Sequence, residues 1–291
     1  MIGGHGAGQP GWLPLDAHLH TDASSDSDVP IDVYAAAAVG RGIPELAITD
    51  HIDFEPGWPN HRPDVAARER VVREAAERWA PHGVAIRFGV EVTYERRHEA
   101  AIRDHLARTP YDYAIGSVHV GPDSPYRPAR VAAFVAGRSL EEILAPYLDE
   151  VLGAIRSGLF DAIGHLDFVK RYLAPHVTPA DLAARPEVLD PALAALAATG
   201  AALEVNTSGL RQTPGETYPA PWAVARFREL GGERVVAGSD AHRADWFAWG
   251  LAEGYEALRA AGFRSVTFRR GRVPVTIDTD GPAASPNAIP S

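Results

Sequence analysis

Short apolar runs that end in polar residues recur along the chain and alternate with stretches that favour helices. Continuous apolar runs of this length predict buried strands, and they cover residues 15–20, 46–51, 85–92, 113–119, 160–165, 201–206 and 234–242. Helices are predicted between and after them, at residues 31–41, 64–78, 99–108, 140–157, 191–199, 222–230 and 251–261. The last apolar stretch, residues 265–277, predicts a β-hairpin that turns at Arg270 and Gly271.

This alternation of strands and helices predicts a parallel sheet covered by helices. Both an open doubly wound sheet and a closed barrel satisfy it. In a barrel the carboxyl ends of all strands surround one mouth, whereas in an open sheet only the strands near the switch point share a site. Polar residues of metal-ligand type end nearly every run of this chain. We therefore expect a closed barrel.

The length of the chain, 291 residues, suits one barrel-sized domain or two smaller ones. No linker interrupts the alternation, so we predict a single domain over residues 15–277. A flexible Gly-rich segment at residues 1–14 is expected before it, and a disordered tail rich in Pro, Ala and Ser at residues 278–291 after it. No apolar run is long enough to span a bilayer. The first residues lack the order of a signal peptide, and a cytoplasmic location is the default expectation.

Charge and composition narrow the possible partners. The formal net charge is −10, Lys170 is the single lysine, and the only basic cluster is Arg269, Arg270 and Arg272. Nucleic acids are usually held by clustered Lys and Arg, so a nucleic-acid partner is unlikely and a small substrate fits better. Cysteine is absent, so any metal ion must be held by His and carboxylate side chains. The oligomeric state stays open.

The first strand carries the densest set of possible ligands. Successive strand residues point to opposite faces, so Asp16, His18 and His20 share one face. Two imidazoles at this spacing can bind one divalent ion. A lone pair of this kind is more typical of two surface histidines on an edge strand, so the pair needs support from the rest of the chain.

That support comes from the ends of the other strands. The residues of ligand type at strand ends are His18, His20, His51, Glu91, His119, His165, Asp240 and His242. Burying these imidazoles and carboxylates without a metal would leave many polar groups unpaired. The set is also larger than one or two ions require. We therefore predict three divalent ions, of Zn, Mn or Fe.

Six ordered motifs over residues 16–242 resemble the polymerase-and-histidinol-phosphatase (PHP) superfamily. They are Asp-x-His-x-His, Thr-Asp-His, Gly-x-Glu, Ser-x-His, Gly-His-x-Asp and Gly-Ser-Asp-Ala-His. The resemblance implies a distorted (β/α)7 barrel with a trinuclear metal centre. By position it assigns three sets of ligands: His18, His20, Glu91 and Asp240 for the first ion; the bridging Glu91 with His119 and His165 for the second; Asp26, His51 and His242 for the third. Many relatives have His in place of Asp26, and Asp22 or Asp28 could substitute for it.

Two further stretches, residues 164–172 and 204–211, resemble the stand-alone histidinol-phosphate phosphatases. The resemblance implies that Arg171 and Arg211 contact the substrate phosphate, and guanidinium groups do pair bidentately with phosphate oxygens. Two ordinary surface arginines are the alternative reading. The segment 121–137 follows no pattern of the family. Because it lies where substrate loops are expected, it leaves the identity of the leaving group open.

The implied activity is metal-assisted hydrolysis of a small phosphate monoester, with histidinol phosphate, from histidine biosynthesis, as the expected substrate. Metal ions bring the pKa of bound water into the neutral range. Glu91 and Asp240 are expected to act within the metal centre. The leaving alkoxide needs a proton or a metal, and Asp167, Asp240 or a metal-bound water could supply it.

Three other functions share part of this pattern. A phosphodiesterase or nuclease of the same superfamily would have the same ligands, together with basic or aromatic groove residues. A non-catalytic metal-binding member would be expected to have lost ligands, and none is obviously lost, Asp26 aside. An amidohydrolase usually bridges its metals with a modified lysine before its later histidines, but Lys170 follows both His119 and His165.

Overall fold

Parallel strands surrounded by helices form the centre of the molecule, in a computed structural model that describes residues 11–271 and 273–281. The strands are short and mostly buried, since helices cover their outer face. They are β1 Asp16–Leu19, β2 Glu45–Ile48, β3 His51–Ile52, β4 Ala85–Thr93, β5 Tyr113–Ser117, β6 Ala162–Ile163, β7 Ala202–Asn206 and β8 Val235–Gly238. All pair in parallel, in the order β1-β2-β4-β5-β6-β7-β8, with β3 beside β4.

The sheet closes on itself where β8 meets β1. The backbone N–H of His20 donates to the carbonyl of Ala241 at 3.0 Å. At the start of β1, the Asp16 carboxylate accepts from the backbone N–H of Ser239, the residue that follows β8, at 2.8 Å. Burial of Asp16 raises its pKa to about 6, although this hydrogen bond opposes the shift. The predicted (β/α)7 barrel is confirmed.

The predicted strand over residues 46–51 is interrupted in the structure. Its two halves, β2 and β3, are separated by Thr49 and Asp50. The Asp50 carboxylate accepts from the backbone N–H of Thr21 at 2.6 Å and from the Ser24 hydroxyl at 3.0 Å. Through these hydrogen bonds, Asp50 holds the loop that follows β1 against the segment between β2 and β3.

Helices connect the strands, and most lie where the sequence predicts them. They are α1 Ile31–Arg41, α2 Val65–Trp79, α3 Glu99–Arg108, α4 Pro128–Val135, α5 Leu140–Ser157, α6 Lys170–Leu173, α7 Pro179–Ala183, α8 Asp190–Ala197, α9 Pro221–Glu229 and α10 Leu251–Ala260. The short helices α4, α6 and α7 were not predicted. In the described part of the chain, no helix is both long and apolar enough to cross a membrane.

The amino end of the barrel is filled and covered. Small and branched side chains fill its interior, among them Ala17, Ala47 and Ile115. The predicted hairpin, β9 Ser265–Arg270 and β10 Val273–Asp278, is confirmed and pairs antiparallel. Its Phe268 ring lies 4.7 Å from the Tyr113 ring at the base of the barrel. The carboxyl end is therefore the end that can hold a site.

Ion pairs fasten the hairpin to the barrel. Arg270 Nη2 lies 2.6 Å from Glu45 Oε2 at the start of β2, and Arg87 Nε lies 2.6 Å from Glu45 Oε1. Arg269 Nη1 lies 2.5 Å from Asp161 Oδ1. Two arginines of the basic cluster are thus used within the fold, and the third, Arg272, lies outside the described residues.

The terminal segments are mostly beyond the described residues. The flexible segment predicted at 1–14 has only residues 11–14 described, and there Leu13 packs against the main core. The tail predicted at 278–291 begins at the last residue of β10, and residues 282–291 lie outside the described residues. The predictions for both segments stay predictions.

Replacing Glu45 tests how much the hairpin contributes to stability. Glu45→Gln keeps the size of the side chain but removes the charge that two guanidinium groups share. Charge-assisted hydrogen bonds contribute about 1.5–3 kcal/mol, so we expect the free energy of unfolding in urea to fall by about that amount. Glu233→Gln, at an exposed position, is the matched control. Equal unfolding midpoints for both variants and the parent would contradict this role.

Candidate active site

The predicted ligands meet at the carboxyl ends of the strands. Each of them is the last residue of a strand or lies within a few positions of its end: His18 and His20 at β1, His51 at β3, Glu91 at β4, His119 after β5, His165 after β6, and Asp240 and His242 after β8. Six of them line a cavity of about 760 Å³ at the barrel mouth: His51, Glu91, His119, His165, Asp240 and His242. The closed barrel thus brings together residues that are far apart in sequence.

The first set forms a compact group of four donor atoms. His18 Nε2 and His20 Nε2 are 3.0 Å apart, and Glu91 Oε2 lies 3.3 and 3.4 Å from them. Asp240 Oδ1 lies 3.8 Å from His18 Nε2 and 3.4 Å from His20 Nε2. Four ligands at zinc–nitrogen distances would be separated by about 3.3 Å. The spacing of the His18, His20 and Asp240 atoms therefore suits one shared cation, with Glu91 beside it.

The second set uses the other oxygen of the same glutamate. Glu91 Oε1 lies 2.9 Å from His165 Nε2 and 3.5 Å from His119 Nε2. Oε2 faces the first set and Oε1 faces the second, so the Glu91 carboxylate lies where it could bridge two ions.

The third set lies at the edge of the mouth. Asp26 Oδ2 is 3.4 Å from His51 Nε2 and 3.2 Å from His242 Nε2, and the two ring nitrogens are 3.5 Å apart. Of the three candidate carboxylates, it is Asp26, rather than Asp22 or Asp28, that forms these contacts. His51 also lies close to Glu91, with its Nδ1 2.9 Å from Oε2.

The charges of these groups suit cation binding. Burial would raise the pKa of Glu91, but the nearby imidazoles, first of them His18 and His51, hold it well below its usual value. The pKa of Asp240 is likewise held low against burial, mainly by His18. Burial, together with the neighbouring His242 and His51, lowers the pKa of His20 well below its usual value. The same carboxylates raise the pKa of His18 and His51 well above its usual value, against the effect of burial. Ionised carboxylates and neutral imidazole are the forms that bind metals, so a bound cation would take the place of the protons on these rings, and the set of donors suits divalent cations.

Two of the ligands are held in unfavourable backbone conformations. His165 has φ +26° and Asp240 has φ +53°, and left-handed conformations cost non-glycine residues of the order of 1–3 kcal/mol. Glycines nearby allow the strands to approach closely. A Cβ on Gly238 would lie 2.4 Å from His18 Cβ, and one on Gly164 would lie 2.3 Å from Ser117 Oγ. The Gly-His and Gly-Ser-Asp motifs therefore have a steric basis.

A buried glutamate that the sequence analysis did not single out supports two of the ligands. Glu204, on β7, is fully buried. Its Oε1 lies 2.6 Å from His18 Nδ1, and its Oε2 accepts from the His165 backbone N–H at 2.8 Å. Carboxylates that hold the second nitrogen of a metal-binding histidine orient the ring and fix the proton on that nitrogen. An acidic residue in the middle of a buried strand is the sequence signal that could have revealed it.

Both predicted phosphate-binding arginines line the mouth. Arg211 donates to the carbonyls of Ser239 at 2.9 Å and Asp240 at 2.6 Å, and its guanidinium lies 4.7 Å from the Trp246 ring. Its buried Nε–H has no partner among the described residues. Arg171 contacts the Phe168 and Tyr172 rings. Within the described part of the chain neither guanidinium pairs with a carboxylate, so both can bind an anion.

Asp167 does not lie in the mouth. It is buried, and its Oδ2 lies 2.8 Å from Nζ of Lys170, which also contacts Glu216 Oε1 at 2.8 Å. Through its contact with Glu216, Lys170 joins α6 to the loop before α9. The structure therefore does not support Asp167 as the proton donor, and of the two predicted carboxyl donors only Asp240 borders the cavity.

Comparisons with known proteins agree with this geometry. The PHP domain matches residues 16–208. A protein named probable histidinol-phosphatase from Deinococcus radiodurans is 34% identical over 271 residues, which cover 89% of this chain and 97% of that protein. The histidinol-phosphatase of Lactococcus lactis is 28% identical and covers 88% of this chain and 94% of its own.

A solved structure has the same fold. The histidinol phosphate phosphatase of Lactococcus lactis, in complex with zinc, L-histidinol and phosphate, superimposes with a TM-score of 0.76 at 24% identity. It covers 90% of this chain and 98% of its own length. With the motifs, the barrel and the ligand clusters all in agreement, this chain belongs to the PHP domain family.

Proposed function

We propose that this protein is a metal-dependent phosphatase that hydrolyses histidinol phosphate to histidinol and phosphate, a step of histidine biosynthesis. The observation that carries the proposal is that two guanidinium groups, those of Arg171 and Arg211, lie beside the cluster of metal ligands and form no ion pair with a carboxylate of the described residues. Such an arrangement suits the dianion of a phosphate monoester. The names of the relatives support the choice of substrate.

We further propose that the site holds three divalent ions, of Zn, Mn or Fe. The spacing of three sets of donor atoms supports this number: His18, His20, Glu91 and Asp240; Glu91, His119 and His165; Asp26, His51 and His242. Bound ions of this kind lower the pKa of water and stabilise negative charge on phosphoryl oxygens. Glu91 and Asp240 contribute as ionised carboxylates at the centre of the cluster.

The two arginines bind and orient the phosphate in different ways. Arg211 is already held by two backbone carbonyls and the Trp246 ring, so little conformational freedom is lost when an anion binds. Arg171 is more exposed, and its guanidinium lies near the Phe168 and Tyr172 rings. We propose that Arg211 fixes the position of the phosphate and that Arg171 completes its binding.

The walls of the mouth suit a leaving group that carries a ring. Trp58, Phe168, Tyr172 and Trp246 line the cavity beside the ligand cluster. Gly121, the first residue of the segment that fits no family pattern, packs against Trp58, and a Cβ there would lie 2.8 Å from the indole. Aromatic side chains at this position support a flat, partly apolar leaving group such as an imidazole.

The direct test is a comparison of substrates. The purified protein, loaded with Mn, Fe or Zn, is assayed against histidinol phosphate, other phosphate monoesters, and one cyclic and one linear phosphodiester. We expect the highest kcat/KM with histidinol phosphate. A preference for a diester would contradict the proposed substrate and favour the phosphodiesterase alternative.

Removing the guanidinium groups should affect monoesters most. A monoester dianion offers three terminal oxygens, whereas a diester offers one oxygen fewer and less charge. Charge-assisted contacts contribute about 1.5–3 kcal/mol each, so Arg171→Ala and Arg211→Ala should each lower kcat/KM for histidinol phosphate by roughly 10- to 150-fold. Diester hydrolysis, where present, should change less.

Arg243→Ala is the matched control for both arginine variants. Arg243 also lies over the Trp246 ring, at 5.4 Å, but it pairs with Asp245 and is largely exposed. Steady-state kinetics should leave this variant close to the parent. Unchanged turnover in Arg171→Ala and Arg211→Ala would mean that the phosphate binds elsewhere.

Replacing the bridging carboxylate should abolish activity while keeping the fold. Loss of an outer partner of a metal ligand already costs about 10- to 100-fold, so Glu91→Gln should lower kcat by more than 100-fold. Metal content per chain should fall, while the circular dichroism spectrum should match that of the parent. Glu253→Gln, on the exposed side of α10, is the control. Parent-like turnover in Glu91→Gln would show that Glu91 does not bridge.

A further inference from the structure

We propose that Asp53 and Thr93 are positioning residues that fix the proton of His119 on Nδ1 and so keep its Nε2 free to bind a metal. The inference rests on the proposed metal centre and goes beyond it. It concerns two side chains that border the cavity but belong to none of the three sets of ligands.

The three side chains form a chain of hydrogen bonds in which the direction of each bond is determined. Thr93 Oγ1 lies 2.7 Å from Asp53 Oδ1 and 2.9 Å from His119 Nδ1. The Thr93 hydroxyl has a single proton and donates it to Asp53 Oδ1. The hydroxyl oxygen must then accept from His119. His119 therefore carries its proton on Nδ1, and Nε2 has a free lone pair.

The Asp53 carboxylate is itself held in place. Its Oδ2 accepts from the backbone N–H of Asn60 at 3.1 Å. Asp53 and Thr93 are both buried, and no Lys, Arg or His pairs with Asp53 among the described residues. The carboxylate thus has only hydrogen-bond donors around it, which favours it over His119 Nδ1 as the acceptor of the Thr93 hydroxyl proton.

The position of Thr93 on its strand explains why it reaches His119. Residues two apart on a strand face the same side, so Thr93 faces the mouth together with Glu91. Glu91 Oε1 lies 3.5 Å from His119 Nε2. One strand therefore supplies the carboxylate that faces one nitrogen of the ring and the hydroxyl that holds the other.

In each of the first two sets of ligands, one histidine has its Nδ1 held by a side chain, whereas the other, His20 or His165, has no Nδ1 partner among the described residues. In the first set, Glu204 holds His18 Nδ1 at 2.6 Å. In the second set, His165 Nδ1 is buried and has no partner among the described residues. His119 is thus the histidine of that set whose ring orientation is fixed by a side chain, and we expect the second ion to be the one most sensitive to Thr93.

The proton position can be tested in the metal-free protein. Histidine-labelled ¹⁵N protein at pH 8 should give, for His119, a protonated Nδ1 and an unprotonated Nε2. Thr93→Val, which keeps the shape but removes the hydroxyl, should move His119 toward the Nε2-protonated form or a mixture. Thr93→Ser should keep the parent pattern. A protonated Nε2 on His119 in the parent, or an unchanged pattern in Thr93→Val, would overturn the proposal.

Metal binding provides the second readout. In competition with a chelator, Thr93→Val should bind one of its ions about 10- to 100-fold more weakly, while Thr93→Ser binds as the parent does. Thr279→Val is the matched control, because this buried hydroxyl donates to the Arg264 carbonyl beside the hairpin, far from the mouth in the fold. Equal affinity for all ions in Thr93→Val and the parent would overturn the positioning role of Thr93.

The two readouts separate this inference from the proposed function. If the parent binds no ion but His119 shows the predicted proton position, the proposed metal centre is wrong, and so is the proposed role of Asp53 and Thr93 in metal binding. If the parent binds its ions and Thr93→Val binds them equally well, the proposed metal centre is supported and only the positioning role of Asp53 and Thr93 is wrong.

Discussion

The buried carboxylate of Glu91 is the group on which the rest of the site depends. Imidazole nitrogens from other strands approach its two oxygens within 2.9–3.5 Å; they belong to His18, His20, His51, His119 and His165. A carboxylate that is 1% exposed is costly to bury without such partners. Only a closed barrel brings so many strand ends to one point, so the buried charge of Glu91 depends on the closure between β1 and β8.

The barrel separates stability from chemistry along its axis. At the amino end, the hairpin packs Phe268 under the barrel and pairs Arg270 with Glu45. At the carboxyl end, His165 and Asp240 have strained backbones, and the Nε–H of Arg211 has no partner in the described part of the chain. Parallel barrels commonly place catalytic residues at the carboxyl end and stabilising residues at the other. The stabilising contacts at the amino end therefore offset the free-energy cost of the strained residues at the carboxyl end.

The sequence predicts the strand ends well, because ligand residues interrupt an apolar pattern at regular places. His51, His119 and Asp240 could be found in this way. The supporting residues could not, because their role depends on contacts between distant strands. Nothing in the local pattern distinguishes Thr93 from any other strand threonine, and Asp167 resembles a catalytic acid until its contact with Lys170 is seen. The helix α4 was missed because the residues around it match no family pattern.

Anomalous diffraction from crystals of the metal-loaded protein tests the central claim most directly. With data collected on both sides of the zinc, manganese or iron absorption edge, we expect three peaks. One should lie between His18, His20 and Asp240, one between His119 and His165, and one between Asp26, His51 and His242. Glu91 should lie between the first two. A single peak, or peaks away from these side chains in fully loaded protein, would contradict the account.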